Sequence, residues 1–347
     1  MSLEHPFPEG SSAAFTPPHC PRDGCPSRER GSPFLWQRKG RYRRWCDERV
    51  VQRFLCRTCS RYFSTQTFRV DYRLHKPTLH FALFDTFISK VTQRQATRNL
   101  GCTRKTVVHR LSLLGTHARA FHGQVLDRAK AQGGLSGDFQ FDELETFETS
   151  RIWCPVTMPV LIELHSYFVV DVEVAPLPAR GSKRRKTRHV VPGIEPGDEK
   201  RRSGSRAAVK RCLEVLVDAL GDKQGTHISS DHKSTYGALL KEVMPGTYYH
   251  TRHSSTTRRD RFNPLFPINH TLAMLRDGMS RLVRRSWGVS KMREWLECHA
   301  WVWIAYRNYI RGVTNKAPDT TAAQALGVLE RQFSKQTFFE WRVFSTP

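Results

Sequence analysis

The sequence predicts an α/β protein preceded by two small basic modules, and three observations carry that expectation. Two short-spaced cysteine pairs stand near the N-terminus. Helical periodicities interrupted by a glycine turn follow them. The centre then alternates strand-like runs with helical ones, the pattern of a sheet covered by helices. With 347 residues, two or three domains are expected, with enough chain for a sizeable core.

Composition narrows the partner. Hydrophobic residues make 39% of the chain and charged residues 25%, as in soluble globular proteins, but the net charge is +24. A chain this basic repels itself, and a polyanion relieves it. Nucleic acid leads, because Lys and Arg displace condensed counterions from phosphates. A membrane partner is not expected. The most apolar window, Met158 to Ala175, is broken by Glu163, His165, Asp171 and Glu173, and about 20 apolar residues would be needed to span. The first residues, MSLEHPFPEGSSAAF, lack the features of a signal peptide. A reducing cytoplasm is therefore expected, where nine cysteines suggest metal binding or buried thiols.

Residues 1–17 are rich in Pro, Ser and Gly and are expected to be disordered. Over 18–70 the pairs Cys20/Cys25 and Cys56/Cys59, separated by the 30 residues 26–55, read as a four-thiolate Zn2+ site in a small ribbon of strands. The first pair has four intervening residues where two are usual, so His19 and Cys46 stay open as substitutes. Arg38, Lys39, Arg41, Arg43 and Arg44 suit phosphate contacts.

A helical module with its linker is expected over 76–133. Leu79, Leu83, Phe84, Phe87, Ile88 and Val91 recur at helical spacing. A helix Gln93–Leu100 ends at Gly101, and Thr103 caps another over Arg104–Leu114. Helix, glycine turn, helix is helix-turn-helix grammar, with a plain helical hairpin as the alternative. The second helix would offer Arg104, Lys105, His109 and Arg110 to a groove. Ala118–Gly134 reads as a further helix and linker.

The sheet is expected within 136–312. DFQFDELETF is the first strand, with Asp142 set among Phe139, Phe141, Leu144 and Phe147. Asp is depleted in strand interiors, so Asp142 is either a solvent-facing edge residue or a ligand. Pro155–Leu164 and Tyr167–Ala175 are the second and third strands. An exposed basic loop covers 180–206, a helix Ala207–Leu220, and THISSD is a short strand ending in Asp231. Another helix, Ser234–Val243, and a TYYH strand come next. Ile268, Leu272, Leu275, Met279, Leu282 and Val283 then form one apolar helical stripe. Asn269 and Arg276 lie along its flank, with Arg281, Arg284 and Arg285 on other faces. A last core helix carries Val289 through Tyr306, and 313–347 is an extension with one more helix capped at Asp319 or Thr320.

Three strands with an acid in the first, a helix, a strand ending in an acid and a long helix follow the order of an RNase H-like core. Phosphodiester displacement uses paired divalent ions, and Mg2+ takes hard oxygen ligands. The pieces FLCRTCSRYF, QRQATRNLGCTRKTV, FDELETF, SSDHKSTY and INHTLAMLRDGMSRLVRRSW, in that order, resemble the DDE transposases of bacterial insertion sequences. The likeness spans about Cys20 to Arg311 and lies near the first-described insertion-sequence family. It implies an enzyme that cuts DNA at element ends and joins the freed 3′-OH to target DNA with Mg2+ or Mn2+. It also implies a homo-oligomer on DNA, associated with a bacterial nucleoid. Asp142 and Asp231 are by this resemblance the two metal-ligand aspartates. The third position departs: Asn269 stands where a Glu is expected, and a related group uses Asn there. Glu294 is the alternative third acid. Arg276 fills the basic slot seven positions on. A non-catalytic or domesticated zinc-ribbon and helix-turn-helix regulator is the competing expectation.

Overall fold

The computed structural model of the protein describes residues 15–29, 32–180, 201–254, 256–258, 260–283 and 288–342. Two compact units divide the chain: Met1–Ala82 with Phe333–Pro347, and Leu83–Gln332. Arg284, Arg285 and most of the expected basic loop (181–200) lie outside the described residues, as do residues 1–14.

The first unit holds a three-stranded antiparallel sheet, β1 (Trp36–Arg43), β2 (Val50–Cys56) and β3 (Tyr62–Ser64), in that order. The β1–β2 register shifts between Arg38 and Arg41. Gly40 sits there at φ +51°, a conformation that favours glycine. Phe54 and Phe63 face each other across β2 and β3 and pack with Phe15 and Phe68 beside the cysteines. Phe15 was expected to be disordered; its ring instead closes this small core.

A buried charge network braces the unit. Arg44 donates to Asp71 Oδ2 at 2.7 Å, while Arg69 and Gln66 donate to Oδ1 at 2.9 Å. This corrects the expectation for Arg44, which is buried against Asp71 and unavailable to phosphate. Burial alone would raise the Asp71 pKa, but Arg69, Arg44 and Arg49 outweigh it and hold the carboxyl well below its ordinary value. The folded pKa is thus depressed, so the contribution is present above the unfolded value of about 3.9 and is lost as pH falls below it. Asp71→Ala should cost about 1.5–3 kcal/mol, because it removes the shorter of the two carboxylate contacts of the buried Arg44 and leaves only Asp47 at 3.0 Å. Urea unfolding of this unit at neutral pH checks it; the mutant's deficit should shrink in acid.

The second unit begins within α1 (Leu79–Ile88) and continues through α2 (Gln93–Leu100) and α3 (Arg104–Ala131). Gly101 closes α2 in the left-handed region, φ 56° and ψ 36°, and the Thr103 hydroxyl accepts from the Thr106 N–H at 3.2 Å to start α3. α3 is one helix of 28 residues, where two separate helices were expected. Gly115, between the two expected helices, serves close packing: a Cβ there would lie 2.6 Å from the Cys298 Cα of a later helix. Gly115→Ala should therefore destabilise the unit by about 1–3 kcal/mol despite alanine's better helix propensity, measurable as a lowered denaturation midpoint. These helices, expected as a domain of their own, belong to the same compact unit as the main sheet.

That sheet is built from β4 (Asp138–Phe147), β5 (Pro155–Glu163), β6 (Val169–Val172), the two-residue β7 (Ala175–Pro176), β8 (Thr226–Asp231) and β9 (Tyr248–His253). Its order is β6-β5-β4-β8-β9, with β7 pairing β5. β4, β5 and β6 run antiparallel; β8 is parallel to β4 and β9 to β8. β5 is buried along its whole length, in keeping with its mostly apolar run PVTMPVLIE, broken only by Thr157 and Glu163. The expected third strand is split into β6 and β7. Helix α4 (Ser205–Leu220) follows β7 and α5 (Ser234–Val243) links β8 to β9.

The apolar stripe expected to run to Val283 ends earlier. α6 covers Phe266–Gly278, and Ser280–Leu282 is a separate 3₁₀ turn. α7 (Arg293–Ala305) runs into a π-turn at Tyr306–Ile310. A hairpin, β10 (Gly312–Thr314) and β11 (Ala317–Thr321), then precedes a short helix whose cap is Thr321, not Asp319 or Thr320. Among the described residues, no helix is long and apolar enough to cross a membrane.

Candidate functional site

Two sites emerge, one in each unit. In the first, Cys20, Cys25, Cys56 and Cys59 bring their sulfurs within 4.8 Å of one another. The second pair flanks the β2–β3 turn, and the first lies in the loop before β1. A tetrahedron with Zn–S arms of about 2.3 Å has edges of about 3.8 Å. The separations Cys20–Cys59, 3.6 Å, and Cys25–Cys56, 3.9 Å, fit it. Burial pushes the Cys20 and Cys25 thiols up, whereas at Cys59 burial is outweighed by the Arg61 backbone N–H and the other sulfurs, which bring the pKa down to about 7. The four cysteines can thus hold a metal ion such as zinc. The substitutes left open do not join them. His19 bonds its ring to the Cys20 carbonyl, and the Cys46 thiol contacts the Leu74 carbonyl.

In the second unit the site begins with strand register. β4 pairs with β8 at Asp138–His227, Phe139–Ile228 and Gln140–Ser229. Each partner is 89 positions ahead, and Asp142 and Asp231 are separated by the same 89 (231 − 142). The last bonded pair lies two residues before each aspartate, so both follow it on neighbouring strands, which run about 4.8 Å apart where they are bonded.

The third group comes from α6. Gln140 sits one alternation before Asp142 and is fully buried. Its amide donates to the Pro264 carbonyl at 2.7 Å and accepts from the Ile268 N–H at 3.3 Å. One strand side chain therefore pins the start of α6 against β4. Asn269 follows in the first turn of that helix. Its Nδ2 donates to the Leu265 carbonyl at 2.9 Å, and a carbonyl can only accept, so Oδ1 is the atom it has to offer.

A cavity of about 580 Å³ collects these groups: Asp142, Asp231, Asn269 and Arg276 all line it. The Asp231 carboxylate also accepts the Lys233 N–H at 3.1 Å, which holds it at the strand end. Glu294 is not among the lining residues; it lies exposed in the first turn of α7. His270, Glu145, Asp260 and Asn263 also line the cavity and went unnoticed in the sequence. Glu145 is paired with Arg180, and Asp260 lies 3.4 Å from Arg258. Glu143, set beside Asp142, lines the cavity too and is braced. It accepts from Thr157 and Ser205 at 2.7 Å, from Tyr236 at 2.8 Å and from Lys233. Burial alone would raise its pKa, but Lys233 and the hydroxyls keep it below the ordinary value. Its carboxylate ties β4 to β5, α4 and α5.

The basic residues divide. Arg104, Lys105 and His109 are exposed at the start of α3. Arg110 is only 4% exposed and cannot face a groove as expected. Arg281 is likewise buried, donating to Ser290 at 2.9 Å, and burial brings its pKa down to about 10. Comparison with protein-family models and with curated proteins returns no match for this chain.

Proposed function

We propose that the chain is a metal-dependent DNA transposase with an RNase H-like core, cutting DNA at the ends of an insertion element and transferring the freed strand. The observation that carries this reading is the cavity shared by Asp142, Asp231, Asn269 and Arg276. The sheet supports it: three antiparallel strands, then two parallel to the first, with one acid on the first strand and one at the end of the fourth. Asp142 and Asp231 would hold Mg2+ or Mn2+ through hard carboxylate oxygens. Bound there, such ions stabilise the attacking and leaving oxygens of an in-line displacement. Asn269 Oδ1 supplies a neutral oxygen beside them, and Arg276 a cation for a DNA phosphate. The exposed Arg104, Lys105 and His109 suit binding of element ends, and zinc in the cysteine cluster would fold the ribbon.

One observation favours a second reading, a non-catalytic DNA-binding regulator. The third cavity position is the uncharged Asn269, so only two of the three groups carry charge. Purified chain with Mn2+ and DNA carrying its element's ends distinguishes the two. Nicking and joining products support the enzyme; intact DNA at saturating protein rules it out.

A further inference from the structure

A second cavity, about 370 Å³, adjoins the carboxylate cavity along α6 and shares Phe266 and His270 with it. Its walls include Tyr167, Arg307, Arg311 and Asn315. Among the described residues, no carboxylate lines it. Positions 266, 270 and 274 recur at intervals of four, so one edge of α6 borders the whole cavity.

Arg307 is the informative residue. It is 2% exposed, and among the described residues its Nη1 has no hydrogen-bond partner. Its recorded neighbour is an aromatic face, the Tyr167 ring at 5.8 Å. Buried guanidinium groups are normally paired with carboxylates. Burial first, then the like charge of Arg311, brings its pKa down to about 10, which still leaves it a cation at neutral pH. His270 Nδ1 is also buried without a partner, its ring held between Phe266 and Tyr167.

The backbone holds Arg307 in place. It lies in the π-turn, a widened turn that recurs at functional sites. The next residue, Asn308, bonds both the N–H and the carbonyl of Val169 on β6, at 3.0 and 2.8 Å. Tyr309 bonds His122 at 2.7 Å. The guanidinium is thus buried, charged and, among the described residues, without an anion.

We propose that this second cavity binds a phosphate group of the DNA strand engaged by the neighbouring carboxylate cavity, with Arg307 and Arg311 as its cationic ligands. The proposal rests on the reading of that neighbour as a DNA site. The strand would run along α6, with one phosphate at the aspartates and another at the arginines. Arg307 here is a binding residue, separate from Arg276 in the first cavity.

The test uses the full chain with no added Mg2+ or Mn2+ and no chelator, so that binding is read without cleavage and the cysteine cluster keeps its metal. Affinity for a fluorescein-labelled DNA duplex is followed against salt, and the slope of log K against log salt counts phosphate contacts. Arg311→Gln should reduce the slope by about one contact, and Arg307→Met by about one more. Arg307→Lys, which keeps the charge, should recover most of the loss, separating lost contact from misfolding. Inorganic phosphate, the second probe, should raise the melting temperature of wild type but not of Arg311→Gln. Unchanged slopes overturn the proposal. So does phosphate stabilisation that depends on Arg311 without any change in slope, which would make the cavity a free-anion site. A wild type that binds with the predicted slopes but never cleaves in Mn2+ would sink the catalytic reading and leave this one standing.

Discussion

Asp142→Asn and Asp231→Asn should each lower metal-dependent strand cleavage by about 10³-fold while leaving duplex binding undiminished. Metal-held charge stabilisation is worth several kcal/mol, and each 1.36 kcal/mol is about tenfold in rate. The site gives little redundancy. Glu143 is engaged by four donors, Glu145 by Arg180 and Asp260 lies near Arg258. Asn269→Ala should cost less than either aspartate, because it removes a neutral oxygen and no charge. Gel assays of nicking and joining, with duplex affinity measured in parallel, decide the matter. Full activity in Asp142→Asn would move the site elsewhere.

Loss of the cysteine cluster should have the largest effect on folding. Structural zinc contributes on the order of 10–16 kcal/mol of apparent free energy to small domains, more than such a domain's whole stability. Cys56→Ser or Cys59→Ser should therefore remove the metal and unfold the ribbon strands β1–β3, with α3 and the main sheet intact. Metal analysis should find about one equivalent in wild type. Cys46→Ser is the control and should retain the metal, since Cys46 lies outside the cluster. Less than one equivalent in wild type, or an unaltered ribbon after Cys56→Ser, would remove zinc from the account.

Much of this was legible in the sequence because it depends on local pattern. β4 begins and ends where DFQFDELETF does, and α2, its glycine cap and the start of α3 fall where the turn chemistry puts them. The paired cysteines needed only spacing. What failed depended on partners remote in sequence. α3 was divided near Gly115, whose packing partner Cys298 lies more than a hundred positions away. Gln140 reads as an ordinary strand residue, because its two bonds go to Pro264 and Ile268, more than a hundred positions away. Arg110 was readable and was misread. It falls in phase with Val107, Leu111 and Leu114, the buried stripe of α3, so its charge signalled exposure while its position signalled burial. Arg281 failed for another reason: it sits on a 3₁₀ turn where a continuing helix would have turned it outward.

The unbroken α3 has a geometrical consequence. Its first turn carries Arg104, Lys105 and His109, and its later turns bury His122 and Val125 beneath the sheet-bearing body of the same unit. A helix advances 1.5 Å and rotates about 100° per residue. These turns belong to one continuous helix, with no break between them. On the proposed reading, the distance and the angular phase between the DNA stretch that is gripped and the phosphate that is cut are set by a residue count along one helix. A register so fixed would measure a constant number of base pairs inward from each element end.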